Sequence, residues 1–310
     1  MGRSTPIPGV TVLLAALAGL AACGDEEQEG GGASLRVVAT TTQVADMARA
    51  VGGPRVHVRG LLSPNADPHD YEPRPSDARA LARAEVVFRS GGELDGWLAG
   101  LVESAGGDVR TVTVADALPS RARGGDDDPH WWHDPRSARA AARAMAGELG
   151  RADPAGRVGY ERRGRSYSER LGRLDRRLAD CFATVPKRLR KLVTTHDAFG
   201  HLARRYDIEV VGALIPSRST QAQPSARDTR RLVAQIERER VRAIFPESSL
   251  DPRLERAVAR ETGARVGDEL WADTLGPPGS SGSTYLRSLA ANGRELVRGM
   301  SGGALDCRAG

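Results

Sequence analysis

Residues 153–184 read DPAGRVGYERRGRSYSERLGRLDRRLADCFAT. Asp153 suits a helix cap and Pro154 suits a first helical turn. No proline follows until Pro186, and Tyr160, Tyr167, Leu171, Leu174 and Leu178 recur in steps of three, four and seven. That spacing predicts one helix over 155–184, about 45 Å long at a rise of about 1.5 Å per residue. Gly156, Gly159, Gly164 and Gly172 weigh against it, since each lowers helix propensity. A helix of this length between two similar halves would join them rigidly.

The two flanking stretches share one grammar. Before the helix, β-rich runs at 35–40, 56–62, 85–89 and 109–114 alternate with helical patterns at 42–51, 76–83 and 136–149. After it, runs at 191–195, 208–213, 241–245 and 264–266 alternate with helical patterns at 198–206, 224–240, 251–262 and 283–298. Strands separated by helices indicate βαβ units with parallel sheets. The expected fold is therefore α/β: two βα lobes, 35–150 and 187–310, with the linking helix in 151–186. In such sheets ligands bind at the carboxyl ends of the strands.

A chain of 310 residues suits two lobes better than one small core. Charged content of 27% with 40% hydrophobic residues describes a soluble globular protein. The formal charge of +5 comes almost wholly from arginine, the only lysines being Lys187 and Lys191. Arginines alternate with acids, and no aromatic-basic interleaving marks a nucleic-acid partner. Residues 1–22 have the form of an export signal, with Arg3 at its start and an apolar run at 10–22 too short for a span of about 20 residues. The run ends in Leu20-Ala21-Ala22-Cys23, which resembles a bacterial lipoprotein cleavage box, with Cys23 as the lipidated residue. Residues 23–34 are acidic and glycine-rich, the composition of a flexible tether. Cys181 and Cys307 then lie in an oxidising compartment, where they can pair, although spacing alone does not establish that they do.

The histidines carry the chemistry. Asp67-Pro68-His69 recurs as Asp128-Pro129-His130, and the second copy runs on through Trp131, Trp132 and His133 to Asp134-Pro135. Each proline fixes its own φ and pushes the preceding residue out of the helical region, so these turns are stiff. A stiff turn delivers an imidazole already oriented. His196 follows the run at 191–195, Glu247 the run at 241–245, and Asp273 lies in the loop after 264–266. Three imidazoles and one carboxylate, His69, His130, His196 and Asp273, make a four-coordinate set for a divalent transition metal. The compact His-Glu-x-x-His helix of metallohydrolases is missing. Glu247 is a candidate to fix an imidazole tautomer by hydrogen bond, or simply to end its strand. His57 reads as a surface residue, His201 as packing, and Asp197 as a cap for the helix after His196.

Four motifs carry a family resemblance: Asp67-Pro-His-Asp-Tyr-Glu72, Asp128-Pro-His-Trp-Trp-His-Asp-Pro135, Thr194-Thr-His-Asp-Ala-Phe-Gly200 and Ala272-Asp-Thr-Leu-Gly276. Over about 35–298 the chain resembles the zinc- and manganese-binding (cluster A-I) solute-binding lipoproteins of bacterial ABC importers. The resemblance implies two βα lobes joined by a long helix, with metal in the cleft. It implies His69, His130, His196 and Asp273 as ligands, an ABC permease with its ATPase as partners, and a monomer held outside the cell membrane by its N-terminal lipid. The chain departs from the pattern twice. The segment 120–128 carries acids where zinc-type members often carry histidines, and His133 stands where the family usually has an apolar residue.

The leading expectation is a receptor, not an enzyme, that captures Zn2+ for import, since a nitrogen-rich site favours zinc over manganese. The alternatives are a Mn2+-specific protein of the same type, an exported zinc hydrolase and a cell-adhesion protein on the same scaffold. For a hydrolase, three histidines and an aspartate leave little room for a bound water, and Glu247 is the only candidate base.

Overall fold

The computed structural model describes Met1, Gly2, residues 34–118 and residues 128–308. The expected signal, the lipidation residue Cys23, the tether except Ser34, and residues 119–127 lie outside the described residues.

The first half is a four-stranded parallel sheet. Strands β1 (Leu35–Ala39), β2 (Val56–Gly60), β3 (Val86–Arg89) and β4 (Arg110–Thr113) pair in the order β2-β1-β3-β4. Helices α1 (Thr42–Gly52), α2 (Pro75–Leu81) and α3 (Leu98–Ser104) provide the crossovers. Thr41 caps α1 by accepting from the Val44 N–H. The helix ends where Gly53 takes a positive φ of 62°. The sequence did not foretell α3: its seven residues carry Gly100 and are too few to display a period.

Helix α4 (Pro135–Ala152) opens on Asp134, whose carboxylate accepts from the Arg136 N–H at 2.8 Å. A single 3-10 turn at Pro154–Gly156, capped by Asp153, leads into α5 (Arg157–Thr184), 28 residues without interruption. Tyr160, Tyr167, Leu171, Leu174, Leu178 and Phe182 of α5 are all buried. One of its glycines, Gly164, has a packing reason. A Cβ on Gly164 would lie 2.9 Å from Ala146 Cβ and 3.4 Å from the Ala142 carbonyl, so α5 approaches α4 there as closely as backbones allow.

The second half repeats the topology of the first. Strand β5 (Lys191–His196) pairs in parallel with β6 (Glu209–Ile215) on one side. On the other it meets β7 (Ala243–Ile244) through the Thr194–Phe245 bridge, and β7 pairs with β8 (Arg265–Val266). The resulting order β6-β5-β7-β8 matches β2-β1-β3-β4. Helices α6 (Gly200–Tyr206), α7 (Ala226–Glu239), α8 (Arg253–Thr262) and α9 (Tyr285–Ser301) complete it.

Several boundaries differ from the sequence reading, and two of them have a clear cause in the backbone. Asp197 does not cap α6: its backbone N–H donates to the Ser217 carbonyl at 3.0 Å and the helix begins only at Gly200. Strand β7 is shorter than 241–245 because the Val241 N–H turns back to the Ile236 carbonyl at 3.0 Å, closing α7 beside Arg240 in the left-handed region.

One apolar core runs through both halves, taking in Val37, Phe88 and Trp132 from the first, Leu171 and Phe182 from α5, and Leu192, Phe245 and Leu296 from the second. Cys181 at the end of α5 and Cys307 near the C-terminus are joined as a disulfide, their Cα atoms 5.4 Å apart. Among the described residues no helix is long and apolar enough to cross a membrane.

Candidate metal centre

The carboxyl ends of both sheets face one point. His69 sits in a 3-10 turn after β2, and His130 ends the connection that follows β4. His196 is the last residue of β5, beside the position where the second sheet reverses its order. Asp273 follows Leu270, which bridges to Glu247 just past β7.

The four groups converge. One ligand atom from each of His69, His130, His196 and Asp273 lies within 4.8 Å of the others. His130 Nε2 and His196 Nε2 are 3.3 Å apart. Asp273 Oδ2 is 3.1 Å from His69 Nε2 and 3.1 Å from His196 Nε2, and Asp273 Oδ1 is 3.5 Å from His130 Nε2. Ligands held about 2.0–2.2 Å from one ion in a tetrahedron sit roughly 3.3–3.6 Å from each other. The His130–His196 pair and the three approaches of Asp273 to the imidazoles are already near that size. His130, His196 and Asp273 are buried, and the His69 side chain is 8% exposed. His69 Nε2 and both Asp273 oxygens lack a hydrogen-bonding partner of good geometry. Unmatched buried polar atoms of this kind are costly unless a ligand completes them.

Neighbouring carboxylates aim the imidazoles. Asp128 Oδ1 accepts from the His130 N–H at 3.1 Å and lies 2.8 Å from His130 Nδ1. Glu247 Oε1 accepts from the His196 N–H at 3.0 Å and lies 2.6 Å from His196 Nδ1. Both carboxylates leave the Nε2 atom facing the cluster, the usual way an outer partner fixes a ligand's tautomer. Asp273 is held through its neighbours: Trp132 Nε1 and Gln43 Nε2 donate to the Ala272 carbonyl, and the Leu275 N–H donates to Thr42 Oγ1 at 2.8 Å. The stiff wall behind His130 comes from the first sheet. Asp95 accepts from Thr40 Oγ1 and the Ser90 N–H, and Ser90 Oγ accepts from Trp131 Nε1 at 3.1 Å.

The electrostatics match the geometry. Burial opposes a charge on His196, but Asp273 and Glu247 outweigh it and raise the imidazole pKa well above 6.5. Burial likewise pushes the Asp273 carboxyl up, and the His196 and His130 charges overcome it, leaving it well below 3.8. Asp128 is lowered to about 2: burial pushes it up, and its hydrogen bond to His130 wins over that.

His133 does not join the cluster. It stacks on Phe199 with ring centroids 4.3 Å apart, neither ring nitrogen has a partner, and burial drives its pKa down to about 3. It fills an apolar position as a neutral ring. His57 is exposed, as its strand alternation foretold. His201 does more than pack: Nε2 lies 3.2 Å from the Asp128 carbonyl oxygen. The sequence displays Asp128 as part of the repeated Asp-Pro-His turn but not its role in orienting His130.

Known proteins resemble the chain in sequence and in fold. A metal ABC transporter substrate-binding lipoprotein, ScbA of Streptococcus cristatus, is 28% identical over 305 residues, covering 94% of this chain and 98% of that protein. The manganese-binding lipoprotein MntA of Bacillus subtilis is 32% identical over 285 residues, covering 88% of this chain and 92% of that protein. The solved structure of the periplasmic zinc-binding protein TroA from Treponema pallidum superimposes with a TM-score of 0.80 at 27% identity, covering 86% of this chain and 99% of that one. The family model described as the periplasmic component A of a zinc-uptake complex, ZnuA, matches residues 37–299, and the chain belongs to that family.

Proposed function

We propose that His69, His130, His196 and Asp273 bind one Zn2+ ion as cargo, which the chain captures outside the membrane and hands to an ABC permease driven by its ATPase. The family match and the relatives named as metal ABC transporter substrate-binding lipoproteins support a metal-binding component of an uptake system over an enzyme. The observation that carries the zinc assignment is the ligand set itself: three imidazoles and one carboxylate whose ligand atoms lie within 4.8 Å of one another. Imidazole suits zinc, whereas manganese prefers oxygen ligands and binds nitrogen sites more weakly. MntA, a relative whose name specifies manganese, keeps Mn2+ as the second reading.

The same proposal includes a lipid anchor at Cys23 after removal of 1–22, a free tether at 23–34, and a monomeric body made of the lobes 35–150 and 187–310 around the helix in 151–186. The relatives named as lipoproteins support the anchor. Elemental analysis of protein purified without added metal tests the cargo. About one zinc per chain is expected. Manganese in its place would overturn the zinc assignment and leave the transport reading standing.

A further inference from the structure

The two Asp-Pro-His turns are alike in a way that coordination alone does not require. In each, the aspartate Oδ1 accepts the N–H of the histidine two residues on, at 2.9 Å for Asp67 and 3.1 Å for Asp128. In each, the same aspartate is also gripped by a side chain from the other half. Thr220 Oγ1 donates to Asp67 Oδ2 at 2.6 Å. His201 Nε2 lies 3.2 Å from the Asp128 carbonyl oxygen and 3.5 Å from Asp128 Oδ2. Neither Thr220 nor His201 belongs to the ligand cluster.

Both grips come from segments that leave the strands around His196. His201 lies in α6, which follows β5 and His196 directly. Thr220 lies in the loop after β6, whose last residue, Ile215, is paired with His196. The other half grips in return. Gln43 and Trp132 hold the carbonyl of Ala272 next to Asp273, and the Asn65 N–H donates to the Leu275 carbonyl at 3.1 Å. Each half thus orients ligands that the other contributes.

We infer that Thr220 and His201 are positioning residues for metal retention: by gripping the aspartates that orient His69 and His130, they keep those two ligands in register with His196 and Asp273. The inference rests on the metal-binding reading above. Loss of a grip removes no ligand. It frees a stiff turn to swing as a unit, carrying its imidazole away from the ion, so the effect falls on release of the metal and not on its coordination.

Zinc release from the purified full-length chain, timed against excess chelator, tests this, with Co2+ absorption as the probe of coordination. Thr220→Val and His201→Leu are each expected to release zinc about tenfold faster, the lower end of what removing an outer partner does. Their Co2+ bands should match wild type in energy and intensity. Thr220→Ser keeps the hydroxyl and should release zinc at the wild-type rate. Thr220 is half-buried in a loop, so its variants decide the matter even if His201→Leu disturbs the core. Wild-type release from Thr220→Val overturns the inference, as does Thr220→Ser releasing as fast as Thr220→Val. A wild-type chain that takes up neither Co2+ nor Zn2+ overturns the metal-binding reading itself, a different outcome from wild-type binding with unaffected variants.

Discussion

His130 Nε2 and His196 Nε2 stand 3.3 Å apart although 66 residues separate them and the long helix α5 lies between them in the chain. The Nδ1 atom of each faces a carboxylate, Asp128 for one and Glu247 for the other. Two Nε2 atoms fixed toward each other in this way share a cation better than they share a proton.

Removing either imidazole should therefore dismantle the site. His196→Ala is expected to lower zinc affinity about tenfold or more, measured by competition with a chelating dye. Wild-type affinity in that variant would strike the third histidine from the ligand set.

The pH dependence has two opposite parts. Burial disfavours a charge on His196, yet Asp273 and Glu247 hold its pKa in the metal-free fold well above 6.5. Zinc needs that nitrogen bare, so affinity falls as pH drops, and the fall begins above pH 6.5. In the metal-free protein the raised pKa contributes stability that is complete below about pH 6.5 and is lost as pH rises through the folded value. Asp273, held well below 3.8, contributes above that value and loses its contribution only in stronger acid. The rise in unfolding temperature on adding zinc should thus be larger near pH 8 than near pH 6. Calorimetry of both forms checks this; a zinc-induced rise that is flat with pH would contradict it.

The disulfide spans 126 residues of sequence, from the end of α5 to the C-terminus. Closing a loop of that length removes unfolded-chain freedom worth about 4–5 kcal/mol in the entropy model, and measured losses run at about 2–5 kcal/mol. The double variant Cys181→Ser, Cys307→Ser is expected to unfold at lower denaturant by an amount in that range. Its zinc affinity should be unchanged, since neither cysteine is in the ligand cluster.

Glycines within α5 should answer alanine in opposite ways. Alanine gains about 1 kcal/mol over glycine in a helix interior. At Gly172 a Cβ meets only the guanidinium of Arg139, 3.5 Å away in ordinary contact, so Gly172→Ala should stabilise. At Gly164 it meets Ala146 Cβ at 2.9 Å, and overpacking of about 1–3 kcal/mol outweighs the helical gain. Gly164→Ala should therefore destabilise. Denaturant midpoints of the two variants read the difference.

Much of this was legible in the sequence for physical reasons. The β-rich runs at 35–40 and 191–195 became β1 and β5 because buried parallel strands need continuous apolar, β-branched residues. The face formed by Tyr160, Tyr167, Leu171, Leu174 and Leu178 is the buried face of α5. The convergence of His69 and His130 could be anticipated because Pro68 and Pro129 stiffen both turns at strand ends. Helix α3 was not legible, because seven residues with a glycine carry no period. Nor was the role of Asp128, His201 or Thr220. Thr220 lies in a run of serine, threonine and glutamine with no local signature, and its partner Asp67 is 153 residues away. Such contacts exist only once both halves are folded against each other.

X-ray absorption at the metal edge of protein purified without added metal tests the central claim most directly. The expected result is zinc with three imidazole nitrogens at about 2.0–2.1 Å and carboxylate oxygen at about 2.0–2.2 Å. Zinc bound through sulfur, or through fewer than three imidazoles, would contradict it.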